Sequence, residues 1–541
     1  METNFASMFE GIVDLVPDRM AVIVVGDGRR TYAELEARIN QMAHHLASAG
    51  VGPGNHVGIY GYNGMEWVEA MMALYKLRAV PVNINYRYVE KELKYLCSNA
   101  DLVAIVAQQE FAPRIAAIRA DLPKLAHVVI AADGSGASTE GLDFADYETA
   151  IAENSPERDF GARSGDDLHV IYTGGTTGMP KGVMWRQEDI FYALCGGIDA
   201  YSNEKLAHAG VLAEKVAAGG GPTINFPLAP MMHGAGQVTT IRSLIHGDTV
   251  VLSPKFDAEQ SWRTIEAEKV NVVGITGDAM ARPLADRLEE IIDDVDLSSL
   301  FSIGSSAAIF SQSIKDQLME RLPNIVVVDS VGATETGMNG IKIAVKGEIP
   351  KGGPATVSPS LDSIVVDEDY VPIVPGSGAI GRIARTGNIP LGYYNDPERS
   401  ALVFFEHGGK RYSIPGDFAT VEEDGQVTLL GRGSIMINTG GEKVFPEEVE
   451  GVLKAHPAVF DCLVVGVPDE RWGERVTAVV QARPGTAPSV EELDAHCREH
   501  IAAYKSPKQV FLVDQIQRAP SGKPDYPWAK EFALAAVGTA S

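Results

Sequence analysis

At 541 residues the chain is too long for a single hydrophobic core, so two to four domains are expected. Its composition, 45% hydrophobic and 22% charged, is that of a soluble globular protein. A formal net charge of −26 argues against nonspecific binding to nucleic acid or to an anionic membrane; it leaves room for an anionic small ligand, whose binding depends on a local cluster of donors.

The opening Met-Glu-Thr-Asn-Phe has neither a basic n-region nor an apolar h-region, so no signal peptide is expected. No apolar run approaches the length of a membrane span, and there is no internal repeat. Cys97, Cys195, Cys462 and Cys497 are scattered without metal-ligand spacing, which reads as reduced structural thiols in a cytoplasm. Thr31 and Glu34 form a capping-box pattern ahead of Leu35, Ile39, Met42 and Leu46 at helical spacing, and Gly50, Gly52 and Pro53 stop that helix. Strands over 57–60, 80–84 and 102–106 then alternate with helices over 67–77 and 90–98. Such alternation predicts a parallel, doubly wound sheet. Tyr86 and Arg87 read as surface packing, and residues 134–141 as an exposed loop.

The most informative stretch is Tyr172-Thr-Gly-Gly-Thr-Thr-Gly-Met-Pro-Lys-Gly-Val183, which follows a short apolar strand over 168–172. A glycine-rich turn after a strand brings backbone N–H groups close to an anion. Thr173, Thr176 and Thr177 add hydroxyls, as donors or as a ligand for Mg²⁺, and Lys181 adds charge for phosphate. It is not a Walker A loop, which ends in Gly-Lys-Ser/Thr at a helix start; here Gly182 and Val183 follow Lys181. The stretch closely resembles the signature loop of the adenylate-forming superfamily: acyl-CoA synthetases, luciferases and peptide-synthetase adenylation domains. The departure is Gly175, where many members carry Ser. The resemblance implies that Thr173, Gly174, Gly175, Thr176, Thr177, Gly178 and Lys181 hold the phosphates of ATP.

Further segments match that superfamily in order. In Pro227-Leu-Ala-Pro-Met-Met-His233-Gly-Ala-Gly236 two prolines stiffen a loop, and the resemblance places His233 at the carboxylate end of the acyl pocket. No Asp stands here, as it would in a peptide synthetase to hold a substrate amine. Gly304 and Ser305 follow an apolar run over 300–303 and resemble the turn that brackets adenine and acyl group. Asp329-Ser-Val-Gly332-Ala-Thr-Glu335-Thr-Gly337 follows a strand over 325–328 and resembles the family's Tyr-Gly-x-Thr-Glu segment. Glu335 is then the expected Mg²⁺ ligand with Thr173, and Gly332 and Thr334 nucleotide contacts. Val331 stands where Tyr often stacks on adenine, so Asp329 is expected to carry more of the base recognition. Residues 350–432 alternate short β-like runs with Gly and Pro turns, which predicts a small antiparallel, barrel-like subdomain. Within it Asp417 resembles the Asp that accepts both ribose hydroxyls, and Arg432 is a candidate phosphate or ribose contact.

Gly433-Ser434 begins a linker that resembles the family hinge, although Asp or Lys usually stands where Ser434 is. Gly440 and Gly441 match the turn that borders the pantetheine tunnel in CoA-forming members. Pro446 opens a helix with acids in its first turn, and residues 460–467 read as a strand; Pro468-Asp-Glu-Arg-Trp472-Gly473 resembles a family turn that would rest Trp472 against the CoA nucleotide, although by itself Trp472 reads as packing. Ser521-Gly-Lys523 matches the terminal signature whose Lys contacts the acyl carboxylate and the α-phosphate.

The resemblance spans roughly residues 8–530. It implies an α/β fold: a large N-terminal domain (1–432) of doubly wound sheets with the barrel-like subdomain at about 350–432, and a small mobile α+β C-terminal domain (433–541). It implies ATP, Mg²⁺ and coenzyme A as cofactors and a small-molecule carboxylic acid as partner, with Lys523, Lys181 and His233 as catalytic residues. No nucleic acid, no integral membrane segment and a cytoplasmic location are expected, with a homodimer left open. Within the superfamily, Gly182-Val-Met-Trp-Arg186, Gly277-Asp-Ala-Met-Ala-Arg-Pro283, Ile437-Asn-Thr-Gly-Gly-Glu-Lys-Val-Phe-Pro446 and Ser521-Gly-Lys-Pro-Asp-Tyr526 look like bacterial ligases for steroid side-chain acids. Small residues at Gly234, Ala235, Gly236, Gly277, Ala307 and Ala308 would leave room for a bulky acid, and loop geometry explains the glycines equally well. Loading of an acyl or aryl group onto a carrier protein, a luciferase-like oxygenase and a non-catalytic nucleotide binder are the rival readings.

Overall fold

The computed structural model describes residues 2–174, 179–199, 201–306, 308, 310–344, 346, 356–439, 442–469, 472–518 and 524–539. Arg432, Ser434, Gly538 and Thr539 are described in backbone only.

The first of three sheets has eight strands. Its centre is parallel: Val80–Asn83, His56–Tyr60, Ala104–Gln108 and His127–Ala131, the first three each followed by helix, as the alternation predicts. The capping box forms, with the Thr31 hydroxyl accepting from the Glu34 N–H, and the helix it starts runs Tyr32–Ser48. Leu168–Thr173 lies parallel to Val80–Asn83 on one side and antiparallel to Lys181–Arg186 on the other. The glycine-rich turn therefore closes a hairpin. Val183 and Trp185 favour a returning strand, and both are fully buried.

The second sheet has fifteen strands. Its parallel portion runs Met20–Val24, Thr249–Leu252, Ile224–Pro227, Val272–Ile275, Ser302–Ser305 and Val326–Ala333. Val326–Ala333 extends well past the expected end at 328, then turns back into Gly337–Ile343. A bulge between Val331 and Gly332 lets it continue, and a side chain at Gly332 would overlap the Gly337 carbonyl. The Thr334-Glu335-Thr336 segment thus forms the tip of a hairpin. The antiparallel strands of the expected barrel-like region continue this sheet through the pairing of Gly337–Ile343 with Thr356–Pro359. Trp67, Trp185 and Trp262 are among the largest fully buried side chains; at about 1.5–3 kcal/mol for a large apolar side chain, such burial is what holds helices to these sheets.

The third sheet has five strands between residues 437 and 513, led by the hairpin Val459–Asp469 and Gly473–Ala482. Pro446–Ala455 and Tyr526–Thr539 pack on it. All four cysteines are free and buried, as read from their spacing. Trp472 differs from its packing expectation: it is 45% exposed on a turn. Among the described residues no helix is long and apolar enough to cross a membrane.

Candidate active site

Three of the residues singled out in sequence meet at one end of the first sheet. Thr173 and Lys181 face one another across the last rung of the hairpin. The Lys181 ammonium lies 5.0 Å from the centre of the Tyr393 ring, and the Tyr393 hydroxyl donates to Glu335 Oε1 at 2.9 Å. Tyr393 reaches this place because Gly392–Tyr393 adds a short strand to the far side of Lys181–Arg186. The Glu335 turn is fixed by its backbone: Trp185 Nε1 donates to the Thr334 carbonyl at 3.0 Å, and the Ser413 hydroxyl to the Glu335 carbonyl at 2.6 Å. The Glu335 carboxylate is thereby held near the Thr173–Lys181 rung, with one oxygen committed to Tyr393.

A second group lies at the ends of the parallel strands of the second sheet. Ser305 and Asp329 are register partners on adjacent strands. The Ser305 hydroxyl accepts from the Gly277 N–H at 3.0 Å, which fixes the start of the helix Asp278–Ile291 beside it. Asp329 is not left open for a base amine alone. Buried Lys315 forms an ion pair with its carboxylate, against a burial effect that still leaves the Asp329 pKa above the usual carboxylate range. The Val331 side chain rests on the apolar core around Val357, Val365 and Ile383.

Asp417 opens the strand Asp417–Val421 opposite Arg432, after Gly416 with φ +106°. His233 stands at the N-cap position of the helix Gly234–Ile245, without a capping bond from its side chain, and a side chain at Gly236 would come within 2.6 Å of the Pro230 carbonyl, so that turn requires glycine. Gly174 is described, whereas Gly175, Thr176, Thr177, Gly178, Gly440, Gly441 and Lys523 lie outside the described residues, as does Ala307.

Sequence reasoning missed two residues. Asn83, 2% exposed at the end of Val80–Asn83, accepts from the Tyr172 N–H at 2.7 Å and donates to the Tyr172 carbonyl at 2.8 Å and the Met232 carbonyl at 2.6 Å. It therefore ties the strand that enters the glycine-rich turn to the loop that carries His233. Its signal was an Asn inside an otherwise apolar strand, where that residue type is depleted. Tyr393 was the other. Only the Gly392-Tyr393-Tyr394 aromatic pair marked it, and that pair reads equally well as core.

Among the described residues no cluster of three or more His, Cys, Asp or Glu side chains could cage a metal. One carboxylate and one hydroxyl suit a hard cation that takes its other ligands from phosphate and water, so Glu335 and Thr173 fit Mg²⁺.

The family model for "AMP-binding enzyme" matches residues 9–394, and that for "AMP-binding enzyme C-terminal domain" matches residues 448–523. The chain is 51% identical over 536 residues to a "3-oxocholest-4-en-26-oate–CoA ligase" of Rhodococcus rhodochrous, covering 98% of this chain and 96% of that one. It is 51% identical over 528 residues to a "Medium/long-chain-fatty-acid–CoA/3-oxocholest-4-en-26-oate–CoA ligase" of Mycobacterium tuberculosis (strain ATCC 25618 / H37Rv), again covering 98% and 96%. The crystal structure of the anthranilate CoA ligase AuaEII with anthranoyl-AMP shares the fold, with a TM-score of 0.84 over 99% of this chain and 98% of the other at 24% identity. A fold, an ordered set of motifs and near full-length identity all agree: the chain belongs to the AMP-binding enzyme family and groups there with its CoA ligases.

Proposed function

We propose that the protein is an ATP-dependent acyl-CoA ligase that converts a carboxylic acid, ATP and CoA to acyl-CoA, AMP and diphosphate through an acyl-AMP. The acid is a steroid side-chain acid or a medium- to long-chain fatty acid, in line with the names of the half-identical relatives. The observation that carries the reading is the meeting of Thr173, Lys181 and Glu335 around Tyr393.

The chemistry accounts for these residue types. A carboxylate oxygen attacks the α-phosphorus, and the bond to the β-phosphate oxygen breaks to release diphosphate. Two unit anions brought to about 3.5 Å repel by about 5 kcal/mol at an effective dielectric near 20, so the meeting point needs cations. Lys181 supplies one at the hairpin rung, and Lys523 the other. Mg²⁺ held by Thr173 and Glu335 would neutralise phosphate charge. Tyr393 keeps the Glu335 carboxylate in place by donating to it. In the second step the CoA sulfur attacks the acyl carbon and AMP leaves with the former carboxylate oxygen. No protein nucleophile takes part in either step; positioning and charge stabilisation carry the rate.

We assign Ser305, Asp329, Gly332 and Thr334 to the adenine end, Asp417 and Arg432 to the ribose, His233 to the acyl pocket, and Gly440 and Gly441 to the pantetheine. We place the boundary between the large unit (1–432) and the C-terminal unit (433–541) at the turn Gly433–Ile435, and the enzyme in the cytoplasm. Product analysis with ATP, Mg²⁺ and CoA tests the reading over a panel of acids from acetate to a C24 steroid acid. Thioester made without any carrier protein, and with preference for the larger acids, is the expected result. Adenylation of an acid that is transferred only when a carrier is added would move the protein to the carrier-loading class.

A further inference from the structure

A line of largely buried charges runs from the strand ends of the second sheet into the C-terminal unit. It starts at the Lys315–Asp329 pair, beside Ser305. Asp278 comes next, at the start of the helix Asp278–Ile291, where the Ser311 N–H and hydroxyl donate to its two carboxylate oxygens at 2.7 and 2.5 Å. Lys454, from the C-terminal helix Pro446–Ala455, brings its ammonium to 3.8 Å from Asp278 and 3.2 Å from Asp461. Arg518 closes the line with a forked contact to Asp461 at 2.7 and 2.6 Å.

Three features set this line apart from ordinary surface ion pairs. The Lys454 side chain is only 4% exposed and those of Asp278 and Asp461 13%, so screening by solvent is weak. One ion pair of the line joins the two units: Asp278 belongs to the large unit, while Lys454, Asp461 and Arg518 all belong to the small one. That pair is also the longest of the line, while Lys454 has a closer partner on its own side. Lys454 therefore keeps its ion pair with Asp461 when the C-terminal unit leaves, and Asp278 keeps its two donors from Ser311. A contact that both sides can abandon without orphaning a charge suits a joint that opens and closes. A second contact supports the same joint: the Arg282 guanidinium stands 5.9 Å from the centre of the Phe460 ring.

Arg518 also forms a β-bridge with Pro524, within the C-terminal unit. We propose that Lys454 and Asp278 are positioning residues, which hold the C-terminal unit against the large unit for acid activation and separate for thioester formation. The proposal rests on the ligase reading.

Two half-reactions separate it from that reading. Acid-dependent exchange of diphosphate into ATP, without CoA, reports activation; thioester formation from preformed acyl-AMP reports the second step. Asp278→Asn removes one charge and leaves an oxygen for Ser311. It is expected to lower exchange about tenfold, within the usual range for coupling between distant sites, with thioester formation unchanged or faster. Lys454→Gln is expected to do the same, and the double variant to fall no lower than either single one. Equal loss in both half-reactions, or exchange within about twofold of the parent, overturns the proposal. Should Lys454→Gln fail to fold, Asp278→Asn decides alone. An unaltered enzyme that performs neither half-reaction would overturn the ligase reading instead.

Discussion

The end of the first sheet that carries Thr173 and Lys181 and the joint with the C-terminal unit are built by opposite means. At the first, Thr173 and Lys181 sit on one rung of a hairpin, and Asn83, Trp185 and Ser413 fix the neighbouring chain through hydrogen bonds to backbone. At the second, among the described residues, a helix and a strand of the small unit meet the helix Asp278–Ile291 through a long ion pair and a cation–ring contact, and Phe445 and Lys443 lie against the Phe418 ring. Backbone register and buried neutral bonds allow one arrangement, because each alternative strands a polar group in the interior. A charge with a second partner at hand allows two. The first region is suited to hold ATP throughout turnover, and the second to be rearranged during it.

Variants on the two sides should therefore fail differently. The largest effect is expected from Lys523→Ala, about 10²–10³ in acid activation, the scale for losing a group aimed at the transition state. Diphosphate exchange measures that loss, and thioester formation from preformed acyl-AMP should be spared; equal damage to both would erase the contrast between a mobile contact and a fixed site. Asn83→Ala comes next. It leaves the Tyr172 N–H and two carbonyls without a buried partner, and about 2–3 kcal/mol of stability should go, read as a lower denaturant midpoint at constant slope. Asp278→Asn follows at about tenfold, confined to activation.

Tyr393→Phe removes one neutral donor to a charged acceptor and should cost about 1–2 kcal/mol, visible as weaker apparent Mg²⁺ affinity with little change in unfolding. An unchanged Mg²⁺ dependence would mean that Glu335 is not a metal ligand. The smallest effect concerns acid. Burial alone would raise the Asp461 pKa, but Lys454 and then Arg518 outweigh it and hold the carboxyl down at about 2. An unfolded Asp titrates near about 3.9, so this group's contribution is whole above about pH 4 and is lost as the pH falls toward 2. Thermal unfolding between about pH 5 and 8 should show no transition from this set; a midpoint there would contradict the geometry.

The fixed side of this contrast is largely legible in the order of residues. Helical spacing and capping locate the helices around the first sheet, and the long glycine- and threonine-rich stretch marks the hairpin whose last rung pairs Thr173 with Lys181. What is not legible depends on non-local register. Nothing in the order of residues says that Tyr393 returns beside Lys181, because that requires a two-residue strand to add to a hairpin more than two hundred residues earlier. The continuation of Val326–Ala333 into a hairpin depends on a bulge at Gly332, and an isolated glycine in a strand signals a bulge or a plain turn with equal force. The Lys315–Asp329 pair and the Asp278–Lys454 link leave no mark in the sequence, because a lone charged side chain most often lies in solvent.

The most direct test follows a single oxygen atom. With the acid labelled with oxygen-18 in its carboxyl group, and ATP, Mg²⁺ and CoA present, AMP should carry one labelled oxygen for each acyl-CoA formed, and diphosphate none. Unlabelled AMP, or label found in orthophosphate with ADP as the other product, would contradict activation through an acyl-AMP.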